Sequence, residues 1–139
     1  MYERILVPLD GSPEAEVALP MARSLASRLH AELILLRVDE PIPNLPTERY
    51  PEAIATAARE YLARTAEPMI LRRLKVRTIV EYGDAAEVIA RSASDLRVDL
   101  VVLATGGGLR HRIPRGVAAR LLRLSTVPVL IVPEGPATD

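Results

Sequence analysis

Five stretches rich in branched apolar residues run along the chain, and segments with helical periodicity separate them. The apolar stretches predict β-strands over residues 4–9, 32–38, 76–82, 98–104 and 127–132. Their near-continuous Val, Ile and Leu content is typical of parallel strands that are covered on both faces. The intervening segments predict helices over residues 12–30, 52–74, 85–94 and 115–124. This alternation predicts an α/β fold, a single-domain, open, five-stranded parallel sheet with helices on both faces.

Caps and prolines refine the predicted helices. Ser12 is suited to cap the first helix. Pro20 lies inside that helix and predicts a kink or a split, and Pro68 predicts a bend or an early end in the second helix. Asp84 and Glu87 form an N-cap and a capping-box pair that begins the third helix.

Apolar residues at helical spacing define the expected core face of the first two helices. In the first helix these residues are Val17, Ala18, Met21, Ala22, Leu25 and Leu29. In the second they are Ile54, Ala57, Ala58, Tyr61, Leu62 and Leu71. We therefore expect both helices to pack on the sheet through these positions.

Composition narrows the function classes. The 139 residues are 49% apolar and 26% charged, with 18 basic and 18 acidic side chains, as expected of one globular domain. A neutral chain with 3% aromatic residues favours neither nucleic acid nor a membrane surface as a partner. The absence of cysteine excludes disulfides and thiolate metal sites. The first apolar stretch is too short for a signal peptide or a membrane span, so we expect a cytoplasmic protein.

The strongest candidate for function is the segment after the fourth predicted strand. Three consecutive glycines begin at Gly106, and Arg110, His111, Arg112 and Arg115 follow them. Glycines allow backbone N–H groups to approach a ligand, and the next helix offers its N-terminus to an anion, so the segment favours phosphate binding. The alternative is a surface loop whose arginines are solvated.

A second candidate is Asp10, which follows the first strand. Its carboxylate suits a ribose hydroxyl, an adenine amine or Mg²⁺, although Asp10 with Gly11 and Ser12 equally suits a turn. His30 is expected to be a partner of the first helix's dipole. The chain has no P-loop, no dinucleotide fingerprint and no nucleophile elbow, and His111 has no assignable nucleophile beside it. We therefore expect binding rather than turnover, with at most a weak ATPase activity.

Four blocks of the sequence together resemble the universal stress protein family. They occupy residues 5–12 (ILVPLDGS), 83–89 (GDAAEVI), 98–103 (VDLVVL) and 127–132 (VPVLIV), so the resemblance spans nearly the whole chain. It implies one domain over residues 1–133 with a flexible tail over 134–139, and the strand order 3-2-1-4-5. It also implies a homodimer through the last strand, formed by Val129, Leu130, Ile131 and Val132. An apolar edge strand needs such a cover.

The family's ATP-binding members carry the motif G-x-x-G, nine residues, then G-[ST], and this chain matches it in part. Ala104 replaces the first glycine, eight residues separate Gly107 from Gly116, and Val117 replaces the hydroxyl residue. The adenosine half of the pattern is therefore intact, while the phosphate half is altered.

The resemblance implies a universal stress protein that binds ATP at the carboxyl ends of strands 1 and 4, with Mg²⁺ reached through Asp10. The residues carried over by position are Pro8, Asp10, Val38, Leu103, Ala104, Thr105, Gly107, Arg115, Gly116 and Val117. A nucleotide-free, dimeric interaction module of the same family is the alternative. The proline-rich loop 39–51 beside this position suits either a lid or a static wall.

Overall fold

A computed structural model of the chain describes residues 2–42, 49–104 and 114–133, with the backbone alone for Pro114 and Arg115. The strands are β1 (Arg4–Leu9), β2 (Glu32–Asp39), β3 (Val76–Tyr82), β4 (Leu100–Ala104) and β5 (Val129–Val132). The helices are α1 (Leu19–Leu29), α2 (Glu52–Leu71), α3 (Ala85–Asp95) and α4 (Pro114–Leu124), and a 3₁₀ turn (Ala15–Ala18) precedes α1. None of the described helices is long and apolar enough to cross a bilayer.

The five strands form one parallel sheet in the order β3-β2-β1-β4-β5. This confirms the predicted α/β class and the strand order that the family resemblance implies. β1 is central, with β2 on one side and β4 on the other. Strands β2 and β3 thus lie on one side of β1, and β4 and β5 lie on the other. The direction in which strands are added to the sheet reverses at β1.

Alternate strand residues divide the core into two layers. Odd-numbered residues of β1 such as Ile5 and Val7 are buried together with Ala22 of α1 and Leu62 of α2. On the opposite face, Leu6 is buried in the layer that includes residues of α3 and α4. The core is aliphatic because the chain has no Phe or Trp.

The first helix is split, as Pro20 predicts. The 3₁₀ turn ends at Ala18, α1 begins at Leu19, and Pro20 thus falls in the first turn, where a missing N–H costs no intrahelical bond. The predicted core positions Met21 and Leu29 are wrong, because they are 44% and 41% exposed. The fully buried positions of α1 are small alanines, which bring the helix close to the sheet.

The second helix passes through Pro68 and ends at Leu71, three residues earlier than predicted. Arg73 adopts a left-handed conformation with φ of 66°, and the N–H of Leu74 donates to the carbonyl of Met69 at 3.1 Å, which closes the helix. The predicted core positions Ile54, Ala57 and Leu71 are exposed. The buried positions of α2 are Ala55, Ala58, Leu62, Ala66 and Met69.

Two strands begin two residues later than predicted. The N–H of Val98 donates to Ala93 at 3.0 Å and so completes the end of α3, which leaves β4 to begin at Leu100. Val127 forms a turn with the hydroxyl of Ser125, so β5 begins at Val129. In both places a local turn uses backbone groups that a longer strand would need.

Candidate functional site

The pairing of β1 with β4 stops short of the carboxyl ends of both strands. β1 pairs with β2 over all six of its residues, from Arg4 to Leu9. Its pairing with β4 comprises Ile5 with Leu100 and Leu6 with Val101 and then stops. Both strands continue beyond this point, through residues 7–9 and 102–104. We call the gap between these two segments the β1–β4 crevice, and it lies where ligands bind in open α/β sheets.

Pro8 explains why the β1–β4 ladder stops. The carbonyl of Glu3 accepts the N–H of Glu32, whereas the carbonyl of Arg4 accepts the N–H of Asp99, each at 2.9 Å. Successive residues of β1 therefore direct their backbone groups alternately towards β2 and β4. Pro8 has the same parity as Arg4 and lacks an N–H, so the donor missing from β1 is one that would face β4.

Asp10 lies directly after β1 and is exposed. Its Oδ1 accepts hydrogen bonds from the N–H of Ser12 at 2.8 Å and from the Ser12 hydroxyl at 2.6 Å. The Ser12 oxygen in turn accepts the N–H of Ala15 at 3.1 Å, so Ser12 supports the start of the 3₁₀ turn. Asp10 thus has the turn role that the sequence offered as an alternative. Both of these bonds use Oδ1, which leaves Oδ2 for a further donor.

Arg37 stands against this turn, and sequence reasoning missed it. Gly11 has a φ of 89°, and a Cβ added there would lie 2.7 Å from Nη1 of Arg37. Nε and Nη2 of Arg37 lie 3.2 and 3.1 Å from Oδ1 of Asp39, and the guanidinium is 5.2 Å from the ring centre of Tyr61. A fixed positive charge therefore lies beside the backbone that carries Asp10. The signal was present as two opposite charges, Arg37 and Asp39, that follow the apolar run 33–36 of β2.

Tyr50 ties the loop that precedes α2 to the ends of β2 and β3. Its hydroxyl donates a hydrogen bond to Asp39, and its ring stacks on that of Tyr82 at 4.9 Å and 16°. Burial and the bond to Asp39 raise the pKa of Tyr50, so its hydroxyl remains a donor. Residues 43–48 of the loop lie outside the described residues, and its role as lid or wall remains a prediction.

Three of the predicted contact residues are apolar and buried near the carboxyl ends of their strands. Pro8 is buried, and Val38 and Leu103 are each 8% exposed. Val38 and Leu103 belong to the core layer of α3 and α4, and Pro8 shares this face because it has the parity of Leu6. Ala104, at the end of β4, is half-buried. Pro8, Val38 and Leu103 therefore lie on the same face of the sheet, near the carboxyl ends of their strands.

The predicted phosphate contacts are only partly described. Thr105, Gly107 and His111 lie outside the described residues, and the side chain of Arg115 is not described. Gly116 is exposed, and a Cβ added there would meet nothing within 4 Å, so its position leaves room for a ligand or a side chain. Val117 is half-buried and packs against the core layer of α3 and α4.

A second ion pair fixes α4 against α3. Nη1 of Arg120 lies 2.8 Å from Oδ1 of Asp84, and Nη2 lies 3.9 Å from Glu87. Asp84 also accepts the N–H of Glu87 at 3.1 Å, which confirms the predicted cap of α3. The bond from Arg120 and this backbone bond hold the pKa of Asp84 below its ordinary value. The two acidic residues at the amino end of α3 therefore hold the side chain of Arg120.

The profile of the Universal stress protein family matches residues 1–133. The universal stress protein Sll1654 of Synechocystis is 34% identical over 143 residues, which cover 96% of this chain and 87% of that protein. A solved structure from the same family in Burkholderia pseudomallei is 31% identical, with a TM-score of 0.76 and coverage of 96% and 97% of the two chains.

Two more distant structures share the fold and contain adenine nucleotides. A universal stress protein in complex with cAMP is 24% identical, with a TM-score of 0.70 over 94% of this chain and 96% of that one. A universal stress protein from Archaeoglobus fulgidus in complex with dAMP is 17% identical, with a TM-score of 0.72 over 94% and 97%. At these identities the likeness is one of fold.

Proposed function

This chain belongs to the universal stress protein family, and we propose that it binds an adenine nucleotide, ATP, at the carboxyl ends of β1 and β4, in a stress-response role. The observation that carries the proposal is the early end of the β1–β4 ladder. An unpaired strand end at the reversal point of a parallel sheet provides space and unused backbone groups for a ligand. The proposal is one of binding rather than turnover.

The adenosine part of the nucleotide has suitable partners at this edge. Val38 and Leu103 offer apolar surface for the flat base, and the exposed Asp10 offers a carboxylate oxygen to ribose hydroxyls or the adenine amine. The hydrogen bonds from Ser12 hold the carboxylate in place before a ligand arrives. Such preorganisation lowers the entropic cost of binding.

The phosphates would meet the segment after β4 and the beginning of α4. Helix N-termini favour anions, and Arg115 adds a positive charge where Val117 lacks the family's hydroxyl. Among the described residues, no group of three or more His, Cys, Asp or Glu side chains could hold a metal. Mg²⁺ would therefore bind mainly to the phosphates, with Asp10 as its protein ligand, which is a common arrangement for this ion.

The cAMP and dAMP complexes support the choice of an adenine nucleotide, because both of those proteins have this fold and bind adenine. They also make the nucleoside monophosphates natural comparison ligands. If the altered phosphate segment contributes little, ATP and AMP will bind with similar affinity. A clear preference for ATP would indicate that the segment still contacts the terminal phosphates.

Calorimetric titration of the full chain with ATP, with and without Mg²⁺, tests this proposal. We expect binding, and we expect Asp10→Ala to weaken it about tenfold through the loss of a charge-assisted hydrogen bond. The matched control is Asp95→Ala, which removes an exposed carboxylate from the last residue of α3. No heat of binding at millimolar ATP would refute the proposal, and equal losses in the two variants would refute the role of Asp10.

A nucleotide-free, dimeric interaction module is the second candidate. Val117 favours it, since this residue packs into the core layer of α3 and α4 where the family's ATP-binding members place a hydroxyl. β5 also favours it. This edge strand carries four consecutive apolar residues, each only partly buried, whereas the other edge strand, β3, carries Arg77, Thr78 and Glu81. An apolar edge is the more suitable one for pairing with a second copy.

The mass of the protein in solution, measured by light scattering after heat extraction of any nucleotide, separates the two candidates when combined with the calorimetry. Dimers without affinity for ATP support the interaction module. Dimers that bind ATP support both the nucleotide site and the pairing of Val129, Leu130, Ile131 and Val132 with their copies. Monomers would refute that pairing.

A further inference from the structure

A second cleft lies on the opposite face of the sheet from the walls of the β1–β4 crevice. It has a volume of about 480 Å³, within the usual range for small-molecule sites. We call it the α1–α2 cleft. Its two sides are formed by Glu16, Leu19 and Arg23, and by Tyr61, Arg64 and Met69. It belongs to the α1 and α2 layer of the core, whereas Val38 and Leu103 belong to the other layer.

A proline from each of the two helices lines this cleft. Pro20 stands in the first turn of α1 and Pro68 stands inside α2. Pro68 has no N–H to donate to the carbonyl of Arg64, and an interior proline costs a helix about 3 kcal/mol. Features that break local folding rules tend to coincide with functional sites. Pro68 is such a feature in α2, and Pro20, in the first turn of α1, lines the same space.

The charges of the α1–α2 cleft are unbalanced. Arg23 comes from α1 and Arg64 from α2, and neither makes a hydrogen bond or an ion pair with another described residue. The carboxylate at the cleft, that of Glu16, already accepts the hydroxyl of Tyr61 at 2.7 Å. Burial and this bond raise the pKa of Tyr61, so the hydroxyl stays protonated and keeps Glu16 occupied. Two guanidinium groups therefore face one engaged carboxylate.

Apolar surface accompanies these charges. Met69 is 2% exposed and Leu19 is half-buried, and both pack in the α1 and α2 core layer beneath the cleft. The two proline rings add further apolar surface. The combination of apolar lining with a few polar groups is that of a small-molecule site.

We propose that the α1–α2 cleft binds a small organic anion, with Arg23 and Arg64 holding its anionic group and the apolar lining holding its hydrocarbon body. Guanidinium groups pair with carboxylates, phosphates and sulfonates in the same way, by directed N–H donors. Glu16 repels a second anionic group, which favours ligands with a single charged end. This site is independent of the nucleotide site in the β1–β4 crevice.

The dye 8-anilinonaphthalene-1-sulfonate is a suitable probe, because it joins one sulfonate to an apolar aromatic body. We expect one dye to bind per folded chain, with a rise in fluorescence. In ¹H–¹⁵N spectra of the wild-type chain the largest shifts should fall on Leu19, Arg23, Thr65 and Met69. Shifts confined to the ends of β1 and β4 would overturn the proposal, and this measurement needs no substitution.

Substitutions then test the role of charge. The double variant R23Q/R64Q should weaken dye binding about tenfold or more. The matched control R28Q/R59Q removes one exposed arginine from each of the same helices, outside the cleft, and should change the affinity less than twofold. Equal weakening by the two double variants would overturn the proposal.

Competition identifies the chemical class of the ligand. Octanoate should displace the dye, while octylamine, with the same chain length and the opposite charge, should not. Equal displacement by both would show that hydrophobic contact alone drives binding and would overturn the assignment of Arg23 and Arg64. Addition of ATP should leave dye binding in the α1–α2 cleft unchanged, so failure here and failure of the nucleotide proposal are separately visible.

Discussion

The two ends of the β1–β4 pair differ sharply, although the same two strands form both. At the amino end, Oδ2 of Asp99 accepts the N–H groups of Glu3 at 2.7 Å and Arg4 at 3.1 Å, and the N–H of Asp99 donates to the carbonyl of Arg4 at 2.9 Å. At the carboxyl end, Pro8 withholds a donor and the ladder stops at Leu6. The side chain of Asp99 therefore extends the hydrogen bonding at the amino end, whereas Pro8 ends it at the carboxyl end. The amino end of the pair is therefore held by hydrogen bonds, while the carboxyl end, where we propose that the nucleotide binds, is unpaired.

The largest expected effect comes from the paired part of β1. Leu6 is fully buried, and we expect Leu6→Ala to lower the free energy of unfolding by about 2–5 kcal/mol, because it leaves a cavity in close-packed surroundings. Val38→Ala at the end of β2 removes less volume from a residue at the rim and should cost about half as much or less. Urea denaturation measures both.

Nucleotide titration of these two variants, under conditions in which both are folded, sharpens the comparison. Leu6→Ala should retain the affinity of the wild type, since Leu6 lies below the β1–β4 crevice. Val38→Ala should weaken binding severalfold, since Val38, at the end of β2, is one of the predicted adenosine contacts. The reverse pattern would contradict the division between a stabilising end and a binding end.

Asp99 gives a smaller effect that depends on pH. The hydrogen bonds from the backbone of Glu3 and then of Arg4 hold the pKa of Asp99 below its ordinary value of 3.8. A depressed carboxyl pKa stabilises the fold fully above the unfolded value and loses that contribution as the pH falls through the folded value. We expect Asp99→Asn to cost about 1 kcal/mol at pH 7, the difference between a charged and a neutral acceptor.

The difference in unfolding free energy between wild type and Asp99→Asn should then shrink when the pH is taken below about 4. Asp95→Asn is the control, because Asp95 is exposed, and its effect should stay within about 0.5 kcal/mol at every pH. A pH-independent cost of Asp99→Asn would mean that the side chain contributes through packing rather than charge.

Pro8→Ala should change stability least and the β1–β4 crevice most directly. It restores an N–H that faces β4, and a hydrogen bond from this group would stabilise the fold by about 1 kcal/mol. The loss of proline also raises the conformational entropy of the unfolded chain, which lowers the free energy of unfolding by a similar amount. We expect little net change in unfolding free energy, slowed amide exchange at residue 8, and weaker nucleotide binding as the gap narrows. Fast exchange at residue 8 with unaltered affinity would show that Pro8 does not set the opening.

The strands were more predictable than the helix surfaces. The bounds of β1 and β3 agree with the sequence prediction, because strands buried in a sheet carry an unmistakable apolar content. Met21, Ile54 and Leu71 were assigned to the core by periodicity and are exposed. Periodicity identifies an apolar stripe, but the rotation of a helix about its axis depends on what it packs against. Small alanines in contact with the sheet decided that rotation.

The candidate site shows the same division. Asp10 could be named from sequence because it follows the first strand, and Val38 could be named because the family resemblance implies it. Arg37 could not be named from sequence. Its closeness to Gly11 depends on how β1 lies against β2 and on the ion pair that Arg37 forms with Asp39. The α1–α2 cleft was equally hidden, although Pro20 and Pro68 had been recognised as irregularities. The sequence showed a proline in each of two predicted helices, but not that the two prolines line one cleft.

The sequence by itself determined the fold class, the number and order along the chain of the strands, the aliphatic core and the family. These depend on local composition and spacing, which act within a few residues. The tertiary structure alone decided that β1 and β4 part beyond Leu6, that Arg37 lies against the turn at Gly11, and that Arg23 and Arg64 share one cleft. Each of these depends on contacts between residues distant in sequence, and such contacts exist only once the sheet and both helical layers have formed.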